Sequence, residues 1–342
     1  MNGAESLLTT LTNNGIEVCF TNPGTSEMHF VAALDEVPGM RCVLCLFEGV
    51  LSGAADGYAR MKGSPASTLL HLGPGLGNAL ANIHNAKKGH VPMVNIVGDH
   101  ATYHLQYDAP LTSDIEGIAR PVSHWVRTSG SPEDIARDAA EAVLQAGIGQ
   151  IATLMLPADV SWGDNPTGAA PAVTVPGPVV VAEESIEQAA TLLRSGANTL
   201  ILMGGREVTA EQGLVVDRIT QATGARALIE TLPGKVARGA GTAVIERLAY
   251  LAELAIDSIK DVEQIILVGA ADPVSFFADP GVSSAIAPES CEKFTLAGPN
   301  DDIDGALRVL AEKVGASERE AQVYELNLPE PGERELDAAK VG

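Results

Sequence analysis

The run Leu46-Phe47-Glu48-Gly49-Val50-Leu51-Ser52-Gly53-Ala54-Ala55-Asp56-Gly57-Tyr58-Ala59-Arg60 decides the fold. An apolar, strand-like stretch, Cys42-Val43-Leu44-Cys45-Leu46-Phe47, delivers one carboxylate, Glu48, and a helix-like segment follows at once. Glycines at 49, 53 and 57 are four apart and share one helical face. A helix-interior glycine costs about 1 kcal/mol against alanine, so three on one face signal a demand for close approach. That face leaves room for another helix or a flat ligand beside a lone acid.

Working outward, the same strand-then-helix alternation recurs. Glu5 to Asn14 reads as a helix stopped at Gly15, and Ile16 to Phe20 as a strand broken by Thr21-Asn22-Pro23-Gly24. Ser26 reads as the N-cap of a helix to Glu36. The 42–47 strand and the glycine-faced helix come next, then a strand from Ser67 to His71. Gly73-Pro74-Gly75 reads as a tight loop before a helix from Leu76 to Lys88. Strands over Val91–Val97, Val122–Arg127 and Ile151–Leu156 and a helix over Pro132–Ala146 complete the block. Mostly apolar strands separated by helices predict a parallel sheet covered on both faces.

Residues 157–182 hold five prolines and three glycines, the composition of a linker. A second βα block follows: Ser185–Arg194, Thr199–Met203 ending in Gly204-Gly205, Glu211–Thr223, Gln264–Val268 ending in Gly269, Lys293–Leu296 and Ile303–Lys313. The fold expected is therefore α/β, with two doubly wound parallel-sheet domains: residues 1–160, a linker over 161–182, a Rossmann-like middle domain over 183–315, and a polar, acidic linker over 316–342.

Composition narrows the function. The chain has 342 residues, 46% of them apolar, and a formal charge of −22. No basic cluster is available to neutralise a phosphate backbone, which argues against nucleic acid as a partner. No apolar run is long enough for a membrane span, and no basic signal-peptide region opens the chain. With only four cysteines, a reducing, cytoplasmic setting is expected rather than a disulfide framework. Cys42-x-x-Cys45 lies in a strand-like run, not at a helix start where a thiol would be activated, and reads as core. Asp99-His100-x-x-x-His104-x-x-x-Asp108 has metal-like spacing only if helical; residues lining a loop are the reading preferred, and no metal site is assigned.

All seven histidines fall in the first block, which makes it the expected place for proton transfer. Three of its strand ends carry polar groups: Asn22-Pro23-Gly24-Thr25, then Glu48, then His71-Leu72-Gly73-Pro74-Gly75. Ligands of open parallel sheets bind beyond the carboxyl ends of the strands. Thr25, Glu48, His71 and Asn78 are thus candidates for one crevice. Taken singly, each also fits a structural role, Glu48 as an acid at a helix N-terminus and His71 as a satisfied polar residue.

Taken in order, Asn-Pro-Gly-Thr-Ser-Glu, Phe-Glu-Gly…Ala-Asp-Gly-Tyr-Ala-Arg, Leu-His-Leu-Gly-Pro-Gly-Leu-Gly-Asn and Ala-Arg-Pro-Val resemble the pyrimidine-binding domain of thiamine-diphosphate enzymes, in the acetolactate synthase and benzoylformate decarboxylase group. The resemblance covers residues 1–160; the second block resembles that group's middle domain in order and length. It implies a 2-keto acid decarboxylase or carboligase. In that group the acid matching Glu48 contacts N1′ of the aminopyrimidine and favours the imino tautomer that deprotonates the thiazolium. Pro23, Gly24, Gly73, Pro74 and Asn78 would line the cofactor, with Thr25, Leu72 and Leu111 toward the substrate. His71 falls where benzoylformate decarboxylases hold a catalytic histidine.

The departures matter as much. Acetolactate synthases have Phe-Gln-Glu where this chain has Pro110-Leu111-Thr112. Benzoylformate decarboxylases have a middle-domain histidine that Pro273-Val274-Ser275-Phe276-Phe277-Ala278-Asp279-Pro280-Gly281 lacks. The Gly-Asp-Gly motif that serves Mg²⁺ and the diphosphate in a third domain is missing, since Trp162-Gly163-Asp164-Asn165 lies in the linker. The expectation is half a cofactor site, silent until a diphosphate-binding domain or subunit and a second copy of the chain complete it, with Mg²⁺ entering through that domain. The alternative is a non-catalytic, dimerising scaffold that binds flavin (FAD) or nucleotide at Gly204-Gly205 and Gly269. A nicotinamide dehydrogenase is disfavoured, because no Gly-x-Gly-x-x-Gly follows the first strand.

Overall fold

The computed structural model describes residues 1–328; the expected linker residues 329–342 lie outside them. The chain divides into two compact units, Met1–Gly177 and the remainder from Pro178.

The first unit runs α1 (Gly3–Asn13), β1 (Val18–Asn22), α2 (Met28–Glu36), β2 (Arg41–Leu44), α3 (Glu48–Lys62), β3 (Ala66–Leu70), α4 (Leu72–Lys88), β4 (Met93–Asp99), α5 (Ile115–Ala119), β5 (Trp125–Thr128), α6 (Ile135–Gly147), β6 (Ile151–Pro157) and α7 (Ala158–Trp162). Its six strands are all parallel, in the order β2-β1-β3-β4-β6-β5. Alternate residues of one strand feed opposite faces. Thus Val94 and Ile96 of β4 enter a core with Leu7, Leu11, Phe30 and Ala139. Met93 and Val97 enter the other, with Leu51, Ala55, Leu76 and Ile83. Every residue of β3 and β4 is buried, as expected of strands covered on both faces, and their polar members are paired, Ser67 Oγ donating to Val18 O at 3.0 Å and Thr68 Oγ1 to Asn95 Oδ1 at 2.8 Å.

The second unit runs α8 (Glu183–Arg194), β7 (Thr199–Met203), α9 (Ala210–Thr223), β8 (Arg226–Ile229), β9 (Glu246–Arg247), α10 (Ala252–Ile259), β10 (Gln264–Val268), β11 (Glu292–Ala297) and α11 (Ile303–Lys313). Its sheet is also wholly parallel, in the order β11-β10-β7-β8-β9. Ile201, Met203, Ile266 and Val268 pack beneath α8, α9 and α11, whereas Leu200, Leu202, Ile265 and Leu267 pack against α10.

The α/β class with two doubly wound parallel sheets is therefore what the chain adopts. Local expectations were corrected at three places. The 42–47 strand ends at Leu44, and Phe47 is the N-cap of α3, so Glu48 opens a helix rather than closing a strand. Gly73-Pro74-Gly75 is not a loop: α4 begins at Leu72, with His71 as its N-cap. Proline is tolerated there because first-turn amides have no intrahelical acceptor. Ser26 caps nothing; residues 25–27 form a 3₁₀ turn that leads into α2. Helices α5, α7 and α10 and strands β8 and β9 were missed, α7 within the proline-rich stretch read as a linker.

The Gly163-Asp164-Asn165 stretch fastens the N-terminus. Gly3 N–H donates to Gly163 O at 3.0 Å and Asn165 N–H to Met1 O at 2.9 Å. The side chain of Asn165 is buried and donates to Ser6 Oγ at 2.9 Å. Residues beyond it run along α1, with Ala170 N–H donating to Thr10 Oγ1 at 3.0 Å and Val173 N–H to Asn14 Oδ1 at 2.7 Å. Among the described residues no helix is long and apolar enough to cross a membrane.

Phe30 is fully buried under the first sheet. Phe30→Ala should cost about 3–5 kcal/mol and lower the urea midpoint of the first unit. Met61→Ala, on the exposed flank of α3, should leave it nearly unchanged.

Candidate active site

In the first sheet the chain leaves β1 toward β2 and later returns to β3 on the other side of β1. The order reverses between β1 and β3, and the crevice of an open parallel sheet forms above such a point. Asn22-Pro23-Gly24-Thr25 follow β1, and His71 follows β3. Two of the motifs separated by almost fifty residues of sequence therefore meet by topology alone.

The centre of the cluster is a residue that the sequence reading passed over. Glu27 is fully buried, and its Oε2 accepts from Gly24 N–H at 2.7 Å and sits 2.8 Å from His71 Nδ1. Its Oε1 has no hydrogen-bond partner among the described residues and faces Gly98 near the end of β4, where a Cβ would overlap the carboxylate. A Cβ on Gly24 would likewise overlap the His71 ring. Both glycines are there to admit these side chains, with no left-handed backbone at either. Burial pushes the Glu27 carboxyl up from its ordinary value of 4.5; the Gly24 amide and His71 partly offset this. With Glu27 ionised, His71 donates through Nδ1, which leaves Nε2 to face outward as an acceptor. His71 is about a quarter exposed, so that face is reachable.

Glu48 stands beside this pair. It is half-buried, and Asn78 Nδ2 donates to its Oε2 at 3.0 Å. A Cβ built on Gly75 would lie 3.3 Å from Glu48 Oε1 and 3.4 Å from His71 Cβ. Gly75 thus leaves only main chain between the Glu48 carboxylate and the base of the His71 side chain. The carboxylate is aimed by helix packing: Ser52 Oγ donates to Glu48 O at 2.9 Å and to Ala79 O at 3.2 Å, and Asn82 Nδ2 donates to Gly49 O at 2.6 Å. The glycine face of α3 is accordingly shared. A Cβ built on Gly53 would lie 3.2 Å from Nδ2 of the α4 residue Asn82, but one on Gly57 would meet nothing within 4 Å.

The remaining candidates separate. Pro23 and Gly24 are half-buried, whereas Pro74 and Asn78 are exposed on α4, and Thr25 is exposed after β1. Gly73 is packed against Ser113, where a Cβ would overlap the serine. Leu72 is 1% exposed, its side chain in the core, although its backbone is left-handed with φ 53°. Leu111 is 41% exposed on the 100–114 loop. That loop is not a helix: a 3₁₀ turn over Leu105–Tyr107 ends at Asp108 with φ 45°. The rings of His100 and His104 lie 5.3 Å apart, and those of His104 and Tyr107 5.8 Å. Among the described residues no group of three or more His, Cys, Asp or Glu could hold a metal ion. Cys45 is buried, but Cys42, expected in the core, is exposed on β2, an edge strand of its sheet; both are free thiols, and loss of solvation pushes both up from their ordinary value.

Comparison with known proteins gives this crevice a class. Residues 1–119 match the family of thiamine pyrophosphate enzymes, in their N-terminal TPP binding domain. That match lies within the first unit, and the chain is similar to proteins named for acetolactate synthases and benzoylformate decarboxylases. A Mycobacterium tuberculosis protein, IlvX, named for an acetolactate synthase large subunit, is 54% identical over 92% of this chain and 60% of its own length. A benzoylformate decarboxylase of Pseudomonas aeruginosa is 30% identical over 40% of this chain and 26% of its own. In fold, a Rhodococcus jostii thiamine diphosphate-dependent 4-hydroxybenzoylformate decarboxylase superposes with a TM-score of 0.76 at 20% identity, over 96% of this chain and 65% of that one. The chain thus spans less than two thirds of the length of these relatives.

The buried acid gives a signed prediction. Its folded pKa lies above the unfolded value, so the native state holds this proton more tightly. The stability it contributes is complete below pH 4.5 and falls as pH rises through the folded value. Relative to wild type, Glu27→Gln should therefore gain stability between pH 4 and pH 7, by about 1.4 kcal/mol per unit of pKa difference. Urea unfolding across that range reads the slope, and a flat difference would contradict it. Gly24→Ala, which forces the imidazole aside, should abolish the His71–Glu27 hydrogen bond seen by imidazole ¹⁵N NMR.

Proposed function

We propose that this chain supplies the pyrimidine-side half of a thiamine-diphosphate site that acts on 2-keto acids by decarboxylation or carboligation. The observation that carries the reading is the juxtaposition of Glu48 and the His71–Glu27 pair across Gly75, at the point where the strand order reverses. The residues present suit the group: an acid held by Asn78 beside bare glycine backbone leaves a flat face for a heterocycle. When bound, thiamine diphosphate supplies a thiazolium carbon that adds to a keto carbonyl and accepts the electrons released with carbon dioxide.

In this reading Glu48 shares a proton with N1′ of the pyrimidine, and Asn78 fixes the direction of its carboxylate. Pro23, Gly24, Gly73, Pro74 and Asn78 bound the ring. His71 receives or donates a proton through Nε2 on the substrate side, and Glu27 holds its ring in the tautomer that permits this. Thr25 offers a hydroxyl to the substrate. Of the two leucines, Leu111 carries the exposed apolar surface, whereas Leu72 contributes through its backbone position.

The surroundings of Glu48 support completion by another polypeptide. Leu44, Leu46, Phe47 and Val50 are exposed around it, Leu46 to 92%, an apolar patch of the kind that marks an interface. A diphosphate-binding domain carrying Mg²⁺, from a longer chain or a separate subunit, together with a second copy of this chain, is the occupant we assign. Without that domain the site is expected to be inactive.

The test joins the chain to a diphosphate-binding domain and follows 2-keto acid turnover. Glu48→Gln should lower kcat by about 10²–10⁴-fold, the range of lost proton-transfer catalysis. Glu27→Gln should shift the pH profile of kcat with a smaller loss. Turnover that is indifferent to Glu48→Gln would remove it from the chemistry.

A further inference from the structure

In the second sheet the strand order reverses between β7 and β10, and above that point an open parallel sheet normally takes its ligand. A flavin or nucleotide is held there through its diphosphate, by free backbone N–H groups of glycine turns and by a helix N-terminus. The turns are present: Gly204-Gly205 follow β7, Gly269 follows β10 and Gly298 follows β11.

Their donors are already engaged within the unit. Gly204 N–H donates to Val268 O at 2.9 Å and Gly269 N–H to Ala297 O at 2.8 Å. Gly298 N–H donates to Asp301 Oδ2 at 2.7 Å. Helix α9, which follows β7, closes its own N-terminus by the reciprocal Thr209–Gln212 hydrogen bonds at 3.0 and 3.1 Å. Helix α11 does so through Asp302, which accepts from Gly305 N–H at 2.9 Å. The two glycine turns also touch: a Cβ on Gly205 would stand 2.7 Å from Gly269 O, and one on Gly269 2.5 Å from Gly204 O.

The last amide is met by an acid. Gly205 N–H donates to Glu230 Oε1 at 2.6 Å. Glu230 follows β8, and its own N–H donates to Met203 O at 2.8 Å, which ties its backbone to the end of β7. From there the carboxylate folds over Gly204, where a Cβ would overlap it. The backbone of Gly204 is not left-handed, so glycine is needed there for space alone. Burial pushes the Glu230 carboxyl up, and the Gly205 amide draws it back.

We propose that the Glu230 carboxylate is a built-in anion at the turn after β7, and that the second unit consequently takes no flavin or nucleotide diphosphate. The flavin-binding alternative drawn from the sequence is thereby set aside on chemical grounds. The proposal is independent of the reaction assigned to the first unit.

The experiment uses the 342-residue chain labelled with ¹⁵N-glycine. In wild type the Gly205 amide resonance should follow the titration of Glu230 with pH and stay still on addition of inorganic pyrophosphate, ADP or FAD. In Glu230→Ala the freed amide should move saturably with pyrophosphate. In Glu230→Gln, which keeps an acceptor and so guards against loss of fold, the pH response of Gly205 should vanish. A wild-type response to any of the three probes would overturn the proposal. So would a folded Glu230→Ala variant that ignores pyrophosphate, or a Gly205 resonance that still titrates in Glu230→Gln.

Discussion

The first unit turns on one buried carboxylate. Glu27 joins the end of β1, through the Gly24 amide, to the end of β3, through His71, while pressed against Gly98 from β4. Three neighbouring strands are thus registered at their carboxyl ends by a single side chain. An acid in that position is costly unless its oxygens are hydrogen-bonded or it keeps a proton, and one of its oxygens has no partner among the described residues. The Gly24 amide and His71 offset part of that cost, and the pair in turn fixes the His71 ring. The same geometry explains why Gly24 and Gly98 have no side chain, and why Glu48 meets His71 across bare backbone at Gly75.

Much of this was legible in the sequence. The alternation of apolar strands and helices gave the α/β class, and the ordered motifs singled out Glu48 and His71, which the structure brings near each other. Glu27 was not found, because Asn-Pro-Gly-Thr-Ser-Glu read as a helix start with Ser26 as cap. A signal was present: an acid three residues after Gly24 has the spacing of a side chain that returns to a preceding amide. Its burial depends on Gly98, more than seventy residues away, and no local pattern carries that. Pro74 misled for the opposite reason. A proline flanked by glycines has every mark of a loop, yet at the first turn of a helix it removes only a donor that had no acceptor.

The second unit was less legible where its elements are defined by neighbours. Strand β9 has two residues, Glu246 and Arg247, and exists only because Leu228 and Ile229 of β8 pair with them. Gly204-Gly205 after β7 and Gly269 after β10 resembled a phosphate cradle in sequence, since glycine content records that something comes close without saying what. There the close neighbour is the opposite turn and an acid of the same chain. At Gly24 and Gly98 it is again the chain's own side chains. Small residues at strand ends thus served internal fit in both units.

The exposed border around Glu48 couples two properties that are usually separate. Strand β2 is an edge of its sheet, and Leu44, Leu46 and Phe47 stand beside it in solvent. An open edge with apolar flanks adheres to other chains. A copy that lacks its complement would therefore be the adhesive one, vulnerable to precipitation and to proteolytic clearance. Selection for a well-behaved, long-lived polypeptide and selection for a finished catalytic centre would then act on the same few residues.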